Sequence, residues 1–259
     1  MKVLICKDEE AAIARAADHI ADHLDNRATT VLGLATGGTM LPLYRRLIGL
    51  HAEGLSFASV TTFNLDEYVG LSPEHPASYH AYMREALFDH VDIDPARAHL
   101  PRGDAPDPAA EAEEYEARIA RAGGISLQLL GIGRNGHIGF NEPTSSLASP
   151  TRIKTLTEST RRANRPYFEA DENLPQYAIT MGVGTILSAN ECLLLATGGA
   201  KAGAVAAMIE GPVAAICPAS ALQLHPRATI VLDREAAAEL KLKDYYNHVH
   251  PDGEEACLG

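Results

Sequence analysis

The residues with the most potential for chemistry lie in the stretch GIGRNGHIGFNEP, residues 131–143. The apolar run ISLQLL leads directly into it, which predicts a buried strand ending in a glycine-rich loop that carries His137 and Glu142. If the loop is locally extended, Asn135 shares a side with His137 and can orient its imidazole, and Glu142 reaches the same ring if the glycines fold the loop back. A histidine held by polar partners suits proton transfer on a sugar, namely ring opening followed by transfer between neighbouring carbons. The alternative is a tight turn without a catalytic role.

A second candidate is the acidic pair Asp66 and Glu67 in FNLDEYVG, directly after the apolar run SVTTF. Adjacent residues of an extended segment point to opposite sides, so at most one of these carboxylates faces a common site. A partly desolvated carboxylate at the end of a strand can act as a general base. The alternative is an ordinary loop acid or helix cap.

The sequence LATGG occurs twice, at residues 34–38 and 195–199, each time between an apolar run and a helical pattern. The first turn exposes backbone N–H groups at the start of a helix, an arrangement that favours an anion such as phosphate; it consists of Thr36, Gly37, Gly38 and Thr39. After the second turn, Lys201 brings a cation to a helix start, where the helix dipole disfavours it, which makes it a candidate ligand. The alternatives are a turn that binds nothing and a solvated lysine.

These loops need strands to hold them, and short apolar runs alternate with longer amphipathic ones along the chain. KVLIC precedes EEAAIARAADHIADHL, TTVLGLA precedes MLPLYRRLIGLH, and RATIVLD precedes REAAAEL. A further helix is predicted to start at Pro108 and to stop at Gly123 and Gly124. This alternation indicates a single α/β domain over residues 1–259, with a Rossmann-like, doubly wound, mostly parallel sheet and helices on both faces. Ligands bind outside the carboxyl ends of the strands of such a sheet.

One segment, residues 151–177, departs from the alternation because it is polar and basic. It contains four arginines and one lysine, which are Arg152, Lys154, Arg161, Arg162 and Arg165. A basic excursion from an α/β core is predicted to be a helical lid over an anionic site. An ordinary pair of surface helices is the alternative.

The composition limits the class of partner. A formal net charge of −12, with charges of both signs scattered, argues against nucleic acid or an anionic membrane as the partner but allows one bound phosphate. The four cysteines show no CxxC spacing, which predicts free thiols in a reducing cytoplasm. The eleven histidines lie in scattered settings such as EHP, LHP and VHP, so no metal site is predicted. The first apolar run is too short for a signal peptide, and no apolar run has the length of a membrane span.

Seven motifs spread over nearly the whole chain carry a family resemblance, and they are TGGT, TFNLDEYVGL, HPASYHAYM, GIGRNGHIGFNEP, SSLASPTRIKTL, GVGTIL and LQLHP. Together they resemble the glucosamine-6-phosphate deaminase family. The pairing of FNLDEY with GHIGFNEP is specific to that family, because the related phosphogluconolactonases continue differently after the GH.

The resemblance implies a reaction in which glucosamine 6-phosphate and water give fructose 6-phosphate and ammonia, without a metal or an organic cofactor. It implies that His137 opens the pyranose ring, that Asp66 takes the C2 proton and delivers it to C1 through an enolamine-type intermediate, and that Glu142 supports His137. It also implies that the first glycine turn and Lys201 hold the phosphate, with residues 151–177 as the lid.

Two positions depart from the family pattern. Some members carry aspartate where this chain has Asn135, so here Glu142 takes a larger share in stabilising an imidazolium. Members with an arginine in the lid place it at the position of Pro166. The adjacent Arg165 is the candidate substitute, although a shift of one residue turns a helical side chain by about 100°.

The segment SSLASPTRIKTL resembles the part of hexameric members that binds the activator N-acetylglucosamine 6-phosphate between subunits. Its polar ligands match Ser145, Arg152 and Lys154. The resemblance therefore implies a homo-hexamer under allosteric control, although the family also contains monomers without it.

Two other functions remain open at this point. A sugar-phosphate sensor of the same fold keeps the phosphate loop without catalysis, but it normally carries a DNA-binding helix-turn-helix, and here the first strand is predicted to begin at Lys2. The combination of Asp66, His137 and Glu142 favours turnover instead. An enzyme acting on another phosphosugar, such as galactosamine 6-phosphate or a phosphosugar lactone, is the second alternative, because one side chain can decide the epimer.

Overall fold

The computed structural model describes residues 1–25, 30–158, 161, 165, 168 and 172–254. The strands, in chain order, are β1 (Lys2–Cys6), β2 (Thr30–Leu34), β3 (Val60–Asn64), β4 (Asp66–Tyr68), β5 (Ala98–His99), β6 (Leu127–Leu130), β7 (Arg152–Thr155), β8 (Tyr177–Thr180), β9 (Cys192–Ala196) and β10 (Ala228–Asp233). The α-helices are α1 (Glu9–Asp25), α2 (Met40–Ala52), α3 (Tyr79–Ala86), α4 (Pro108–Arg121), α5 (Val183–Leu187), α6 (Ala202–Ile209) and α7 (Lys243–Val249). Short 3-10 helices cover Phe88–His90, Pro95–Arg97, Gly199–Lys201, Pro218–Leu224 and Pro251–Gly253.

The main sheet has seven strands in the order β1-β10-β9-β6-β2-β3-β5, and every neighbouring pair is parallel. All residues of β9 and β10 are buried, as expected for parallel strands that are covered on both faces. From β2 the chain adds strands in one direction, and from β6 it adds them in the other, so the order reverses between β6 and β2. The predicted doubly wound, mostly parallel sheet is confirmed, and the reversal leaves a crevice at the carboxyl ends of its central strands.

Two buried tyrosines hold the chain where β2 and β3 leave this sheet. Tyr44 of α2 and Tyr115 of α4 are fully buried. The Tyr44 hydroxyl donates to the carbonyl of Ala35 at 2.5 Å, and the Tyr115 hydroxyl donates to the carbonyl of Asn64 at 2.8 Å. Each hydroxyl binds a carbonyl at or directly after the end of a strand, which stabilises the start of the following loop.

A second sheet of three antiparallel strands, in the order β4-β8-β7, begins at this edge. Leu65 alone separates β3 from β4. Its N–H donates to the carbonyl of Leu34 at 3.0 Å and its carbonyl accepts from Met181 N–H at 2.7 Å, so it is tied to both sheets. Asp66 pairs with Thr180 across β4 and β8, which places Asp66 at the junction of the two sheets.

The helix predicted at Pro108 is confirmed. Asp107 Oδ1 accepts from the N–H groups of Ala109 and Ala110, the helix ends at Arg121, and two glycines of positive φ follow. A helix over REAAAEL was wrong, because residues 234–239 form consecutive turns. So short a segment gains too few helical hydrogen bonds to offset the cost of nucleation. No helix in the described ranges is both long and apolar enough to cross a lipid bilayer.

The helical lid was wrong at both of its ends. Arg152–Thr155 is strand β7, and Tyr177 begins β8, with which β7 pairs. The β-branched Ile153 and Thr155 face outward and alternate with half-buried neighbours, a pattern that favours an edge strand. Residues 159–160, 162–164, 166–167 and 169–171 lie outside the described residues, so a lid over 151–177 stays a prediction.

Candidate functional site

A cavity of about 910 Å³ opens among the loops that follow β9, β6, β2 and β3. These four strands are neighbours in the main sheet, so loops distant in sequence meet at one edge. Eight predicted site residues line the cavity, and they are Thr36, Gly37, Gly38, Thr39, Asp66, Asn135, His137 and Lys201. The sequence motifs therefore converge on one site, as expected for the carboxyl edge of such a sheet.

Asp66 is the buried carboxylate of the cavity, with 5 % of its surface exposed. Burial, followed by the charge of Glu67, raises the pKa of Asp66 from 3.8 to about 8. Hydrogen bonds from the Thr180 hydroxyl, at 3.5 Å, and from the Phe140 backbone N–H act in the opposite direction. A carboxylate of this basicity can accept a proton from carbon more readily than an exposed one, which fits a general base.

Glu67 points away from the cavity, as the alternation along the strand predicted. It is fully buried. Its carboxylate accepts from the backbone N–H groups of Tyr79 and His80, each at 3.0 Å, and from His80 Nδ1 at 2.8 Å. Glu67 thus caps the first turn of α3 and ties that helix to β4. The helix cap that the sequence left open as an alternative for this acidic pair therefore applies to Glu67.

The loop after β6 holds Asn135, His137 and Glu142 in one hydrogen-bonded group. The Asn135 amide donates to Glu142 Oε2 at 2.7 Å, and Asn135 Oδ1 accepts from the His137 backbone N–H at 3.3 Å. Glu142 Oε1 accepts from the Thr157 hydroxyl at 3.3 Å. Asn135 therefore orients the Glu142 carboxylate and the loop backbone, which corrects the expectation that it contacts the imidazole.

His137 lines the cavity with Glu142 behind it. His137 Nδ1 lies 3.6 Å from Glu142 Oε2, within ion-pair distance of a protonated imidazole. The carboxylate is almost fully buried, whereas about a quarter of the imidazole (27 %) is exposed. An imidazolium that forms during proton transfer would therefore be stabilised by the carboxylate while its other nitrogen remains accessible from the cavity.

Two glycines of this loop are required by close approach. A Cβ on Gly133 would lie 2.3 Å from the His137 ring, so the glycine lets the imidazole fold back over the loop. Gly139 has a φ of +54°, and a Cβ there would lie 3.2 Å from Asp66 Oδ2 and 3.0 Å from Thr180 Oγ1. The glycines thus bring His137 and Asp66 into one cavity, beyond forming a turn.

The turn after β2 presents backbone groups to the cavity. Gly37 has a φ of +112°, and its carbonyl accepts from Met40 N–H at 3.0 Å and from the Tyr82 hydroxyl at 2.9 Å. Gly37 and Gly38 are exposed, and the Thr39 side chain forms no cap to α2. The turn therefore offers backbone N–H groups and the positive end of the α2 dipole to an anion.

Two cations line the same cavity. Lys201 Nζ donates to the carbonyl of Ile132 at 2.7 Å. Burial, followed by the charge of Arg134, lowers the pKa of Lys201. Arg134 is the second cation, and sequence reasoning missed it although it stands in the quoted loop motif. Within the described residues, no group of three or more His, Cys, Asp or Glu side chains is arranged to hold a metal ion.

The second glycine turn holds an anion supplied by the protein itself. Gly198, with a φ of +83°, donates its N–H to both carboxylate oxygens of Asp233, at 3.1 and 2.9 Å. Asp233 also accepts from Ala236 N–H at 2.7 Å. The repeated motif therefore contributes Lys201 to the cavity, while its own backbone donor is occupied.

An aromatic wall is a further feature that sequence reasoning missed. The Tyr68 ring centroid lies 4.9 Å from that of Tyr79 and 5.6 Å from that of Phe140, and all three side chains line the cavity. Alternation along β4 places Tyr68 on the same side as Asp66, which was the available signal. This apolar wall excludes water from the carboxylate and so contributes to its raised pKa.

The other predicted residues do not line the cavity. Arg165 Nη1 donates to the carbonyl of Glu172 at 2.7 Å. Ser145 is buried, and its hydroxyl has no hydrogen-bond partner among the described residues. Arg152 and Lys154 are half-buried on one side of β7. The cavity does not include these residues, so their predicted roles in binding phosphate or an activator stay predictions.

Comparison with known proteins finds relatives that match nearly the whole chain. The sequence profile of the family described as glucosamine-6-phosphate isomerases/6-phosphogluconolactonase matches residues 7–231. A glucosamine-6-phosphate deaminase of Hahella chejuensis is 53 % identical over 253 residues, which cover 97 % of each chain. The solved structure of a monomeric glucosamine-6-phosphate deaminase is 49 % identical with a TM-score of 0.89, and the match covers 92 % of this chain and 100 % of that one.

A lactonase shares the fold at much lower identity. The 6-phosphogluconolactonase of Trypanosoma brucei is 19 % identical with a TM-score of 0.74, and the match covers 92 % of this chain and 98 % of that one. At that identity the likeness concerns the fold alone, whereas about half of the residues are shared with the deaminases. The chain therefore belongs to the family of glucosamine-6-phosphate isomerases and 6-phosphogluconolactonases, within which it is similar to the glucosamine-6-phosphate deaminases.

Proposed function

We propose that this chain converts glucosamine 6-phosphate and water to fructose 6-phosphate and ammonia. The observation that carries the proposal is Asp66, a buried carboxylate with a pKa of about 8 in the same cavity as His137. The proteins that share about half of its residues are named as deaminases of glucosamine 6-phosphate, which supports the substrate and the release of ammonia. A hexose phosphate carries a phosphate group and reacting carbons in one molecule. The cavity offers a candidate anion site for the first and acid–base groups for the second.

The anion site is the turn Gly37–Thr39 together with Lys201. The phosphate accepts from backbone N–H groups at the start of α2 and pairs with the lysine. Anchoring the phosphate fixes the position of the reacting carbons relative to the catalytic groups, which accounts for much of the rate enhancement in reactions of this kind.

The proton transfers follow from the groups that surround the sugar. His137 moves a proton between the ring oxygen and the C1 hydroxyl, so that the pyranose opens to the aldehyde, while Glu142 stabilises the imidazolium. The Asp66 carboxylate takes the C2 proton while one proton of the substrate ammonium passes to O1, which gives an enolamine. Asp66 then returns its proton to C1, which leaves an iminium at C2. Water adds to that carbon, ammonia leaves, and the ketone of fructose 6-phosphate remains. Each acid–base group is expected to contribute about 10² to 10⁴ in rate.

Release of ammonia and fructose 6-phosphate from glucosamine 6-phosphate tests this function. We expect equal amounts of both products from the wild type in the presence of EDTA, and loss of turnover by at least about 100-fold in Asp66→Asn. Galactosamine 6-phosphate in parallel tests for the epimer. Saturable binding of the sugar phosphates without turnover of either would contradict the proposal and favour a sensor.

We also infer that residues 151–177 close over the cavity. Two described residues of this segment support the inference, because the Phe168 ring packs edge-on against Tyr68 at 5.9 Å and Glu172 accepts from His75 Nε2 at 2.5 Å. The first contact joins the segment to the aromatic wall of the cavity, and the second joins it to the residue before Pro76, which lines the cavity. Contact between Arg165 and the phosphate stays a prediction, and in the structure one guanidinium nitrogen, Nη1, donates to the carbonyl of Glu172.

For the assembly we infer a homo-hexamer with a site for N-acetylglucosamine 6-phosphate at Ser145, Arg152 and Lys154. The buried Ser145 hydroxyl without a described partner and the two half-buried cations on β7 support an anion site there. β7 is an edge strand with Ile153 exposed, which suits a contact between subunits. Sedimentation of a hexamer and activation by the effector are expected, and a monomer without activation, like the similar enzyme described as monomeric, would contradict both.

We infer a cytoplasmic location from the cysteine spacing. The cysteines in the described part of the chain, Cys6, Cys192 and Cys217, are free and buried. Cell fractionation is expected to recover the deaminase activity with the cytoplasmic enzymes.

A further inference from the structure

Arg134 is the exposed cation at the tip of the loop that carries His137. Gly136 N–H donates to the carbonyl of Gly133 at 3.0 Å, which closes a turn around Arg134 and Asn135. Arg134 lines the same cavity as the Gly37–Thr39 turn and Lys201. Among the described residues, no carboxylate forms an ion pair with Arg134. Its five N–H donors are therefore available to a ligand in the cavity.

The positive charges of Arg134 and Lys201 repel each other across the cavity. Arg134 is close enough to Lys201 to contribute to the lowered pKa of that lysine. The chain as a whole carries a net charge of −12, so this is a local concentration of positive charge on an acidic protein. An anion between the two side chains would convert their repulsion into two attractions.

A phosphate monoester matches this arrangement in charge and in shape. It carries about −1.5 to −2 charges at pH 7, and a guanidinium can donate two parallel hydrogen bonds to it. Lys201 already donates one hydrogen bond to Ile132, and the Arg165 guanidinium donates to Glu172 outside the cavity. In the described part of the chain, Arg134 is thus the arginine placed to meet a phosphate at the glycine turn.

We propose that Arg134 binds the phosphate group of the substrate together with Lys201 and the Gly37–Thr39 turn, so that the β6 loop completes the phosphate site. This proposal rests on the proposed function for the identity of the substrate. Arg134 precedes His137 by three residues in the same loop, whose turn is closed by Gly133. Phosphate binding therefore also holds the loop that positions the imidazole.

The test compares Arg134→Gln and Arg134→Lys with Arg121→Gln, which removes the same charge at an exposed position on α4. Three quantities are measured: the KM for glucosamine 6-phosphate, the Kd of fructose 6-phosphate by calorimetry, and the Ki of inorganic phosphate. We expect Arg134→Gln to raise all three about tenfold or more, in line with loss of a charged hydrogen bond. Arg134→Lys should have an intermediate effect, because lysine keeps the charge but cannot donate two parallel hydrogen bonds. Arg121→Gln should match the wild type.

The pH dependence separates phosphate binding from a structural role. The second pKa of a phosphate monoester is about 6, and the dianion gains more from a second cation than the monoanion does. The ratio of the Kd of Arg134→Gln to that of the wild type should therefore be larger at pH 7.5 than at pH 5. A variant that merely distorts the loop would change the Kd by the same factor at both values, and this result would overturn the proposal.

Other outcomes are equally decisive. Unchanged KM, Kd and Ki in Arg134→Gln would overturn it, as would a raised KM with an unchanged Ki of inorganic phosphate, since the arginine would then contact the sugar. An effect that disappears at high salt, with Arg134→Lys equal to the wild type, would indicate long-range attraction without contact and would also overturn it. Absence of turnover in the wild type would reject the proposed function instead, and the fructose 6-phosphate and phosphate measurements would still test Arg134.

Discussion

At the scale of single residues, the acid–base chemistry of the cavity depends on Asp66, whose pKa some neighbours raise and others lower. Burial and the neighbouring charge of Glu67 raise the pKa of Asp66, while hydrogen bonds from Thr180 and from the Phe140 backbone lower it. The result, about 8, lies close to the pH at which a general base is most effective. The same environment that makes Asp66 a strong base also makes its ionised form costly to bury.

Replacing Glu67 by glutamine should shift the pH dependence of catalysis. The acidic limb of kcat/KM reports ionisation of the base in the free enzyme, which we expect near pH 8 in the wild type. Glu67→Gln removes a charge that raises the pKa of Asp66, so the limb should move to lower pH. Glu113→Gln, at an exposed position on α4, is the matched control. A limb that stays in place or moves to higher pH would show that the charge of Glu67 does not act on Asp66.

Replacing Asp66 by asparagine should stabilise the protein at alkaline pH. The pKa of Asp66 is raised from 3.8 to about 8, so the folded state retains a proton that the unfolded chain has lost between these values. The stabilising contribution of this group is complete below the unfolded pKa and is lost as the pH rises through the folded one. Asp66→Asn does not titrate, so its advantage in unfolding free energy should grow from pH 5 to pH 8.5.

At about 1.4 kcal/mol for each pKa unit, the shift from 3.8 to about 8 sets an upper limit of about 6 kcal/mol on this advantage. Denaturant unfolding of both proteins at the two pH values measures it. A difference that does not change with pH would mean that Asp66 does not titrate in this range in the folded protein.

At the scale of elements, the loop after β6 owes its course to glycines that allow two strand ends to approach each other. Gly139→Ala places a Cβ at positive φ and against Asp66 and Thr180, whereas Gly54→Ala places one at positive φ with no atom within 4 Å. Each substitution should cost about 1 kcal/mol of stability through backbone strain. Only Gly139→Ala should also lower kcat, by about tenfold or more, because it displaces Asp66, the proposed general base.

Thermal unfolding and steady-state kinetics of this glycine pair separate the two effects. Full activity in Gly139→Ala, with a stability loss like that of Gly54→Ala, would leave backbone strain as its only effect and would contradict a close approach between the loop and Asp66.

The small antiparallel sheet shows where sequence patterns lose their power. β4, β7 and β8 have only three or four residues each, and their partners lie far apart in sequence. A strand of three residues contains no measurable periodicity, so DEY was not predicted as a separate strand, and the start of the basic segment was predicted to be helical. By contrast, the longer runs of β1, β2, β3, β9 and β10 were recognised from composition and spacing alone.

At the scale of the whole molecule, the cavity is a shared product of four neighbouring strands in an acidic protein. Fructose 6-phosphate at 100 times its Kd should stabilise the wild type by about 2.7 kcal/mol, because it binds the folded state alone. Asp66→Asn should retain this stabilisation, since it leaves the proposed phosphate site intact, and Lys201→Gln should lose most of it at the same concentration. Lys7→Gln, an exposed lysine, is the control. Equal stabilisation of Lys201→Gln would place the phosphate elsewhere.

Local sequence determined what is periodic or chemically marked. The apolar runs with their intervening helices specified a doubly wound parallel sheet, because burial on both faces demands continuous apolar strands. The same reasoning selected Asp66, His137 and the first glycine turn, because parallel strands present their carboxyl ends at one edge.

Tertiary structure decided what depends on contacts between distant segments. In the folded chain, Glu67 caps α3 and Asn135 donates a hydrogen bond to the Glu142 carboxylate. Asp233 accepts the backbone N–H of the second glycine turn. Tertiary structure also buries Asp66 near aromatic rings. It brings Arg134 into the same cavity as Lys201, where the charge of Arg134 lowers the pKa of the lysine. Charge, hydrogen-bond partner and dielectric environment are properties of a neighbourhood in space, and adjacency along the chain does not define that neighbourhood.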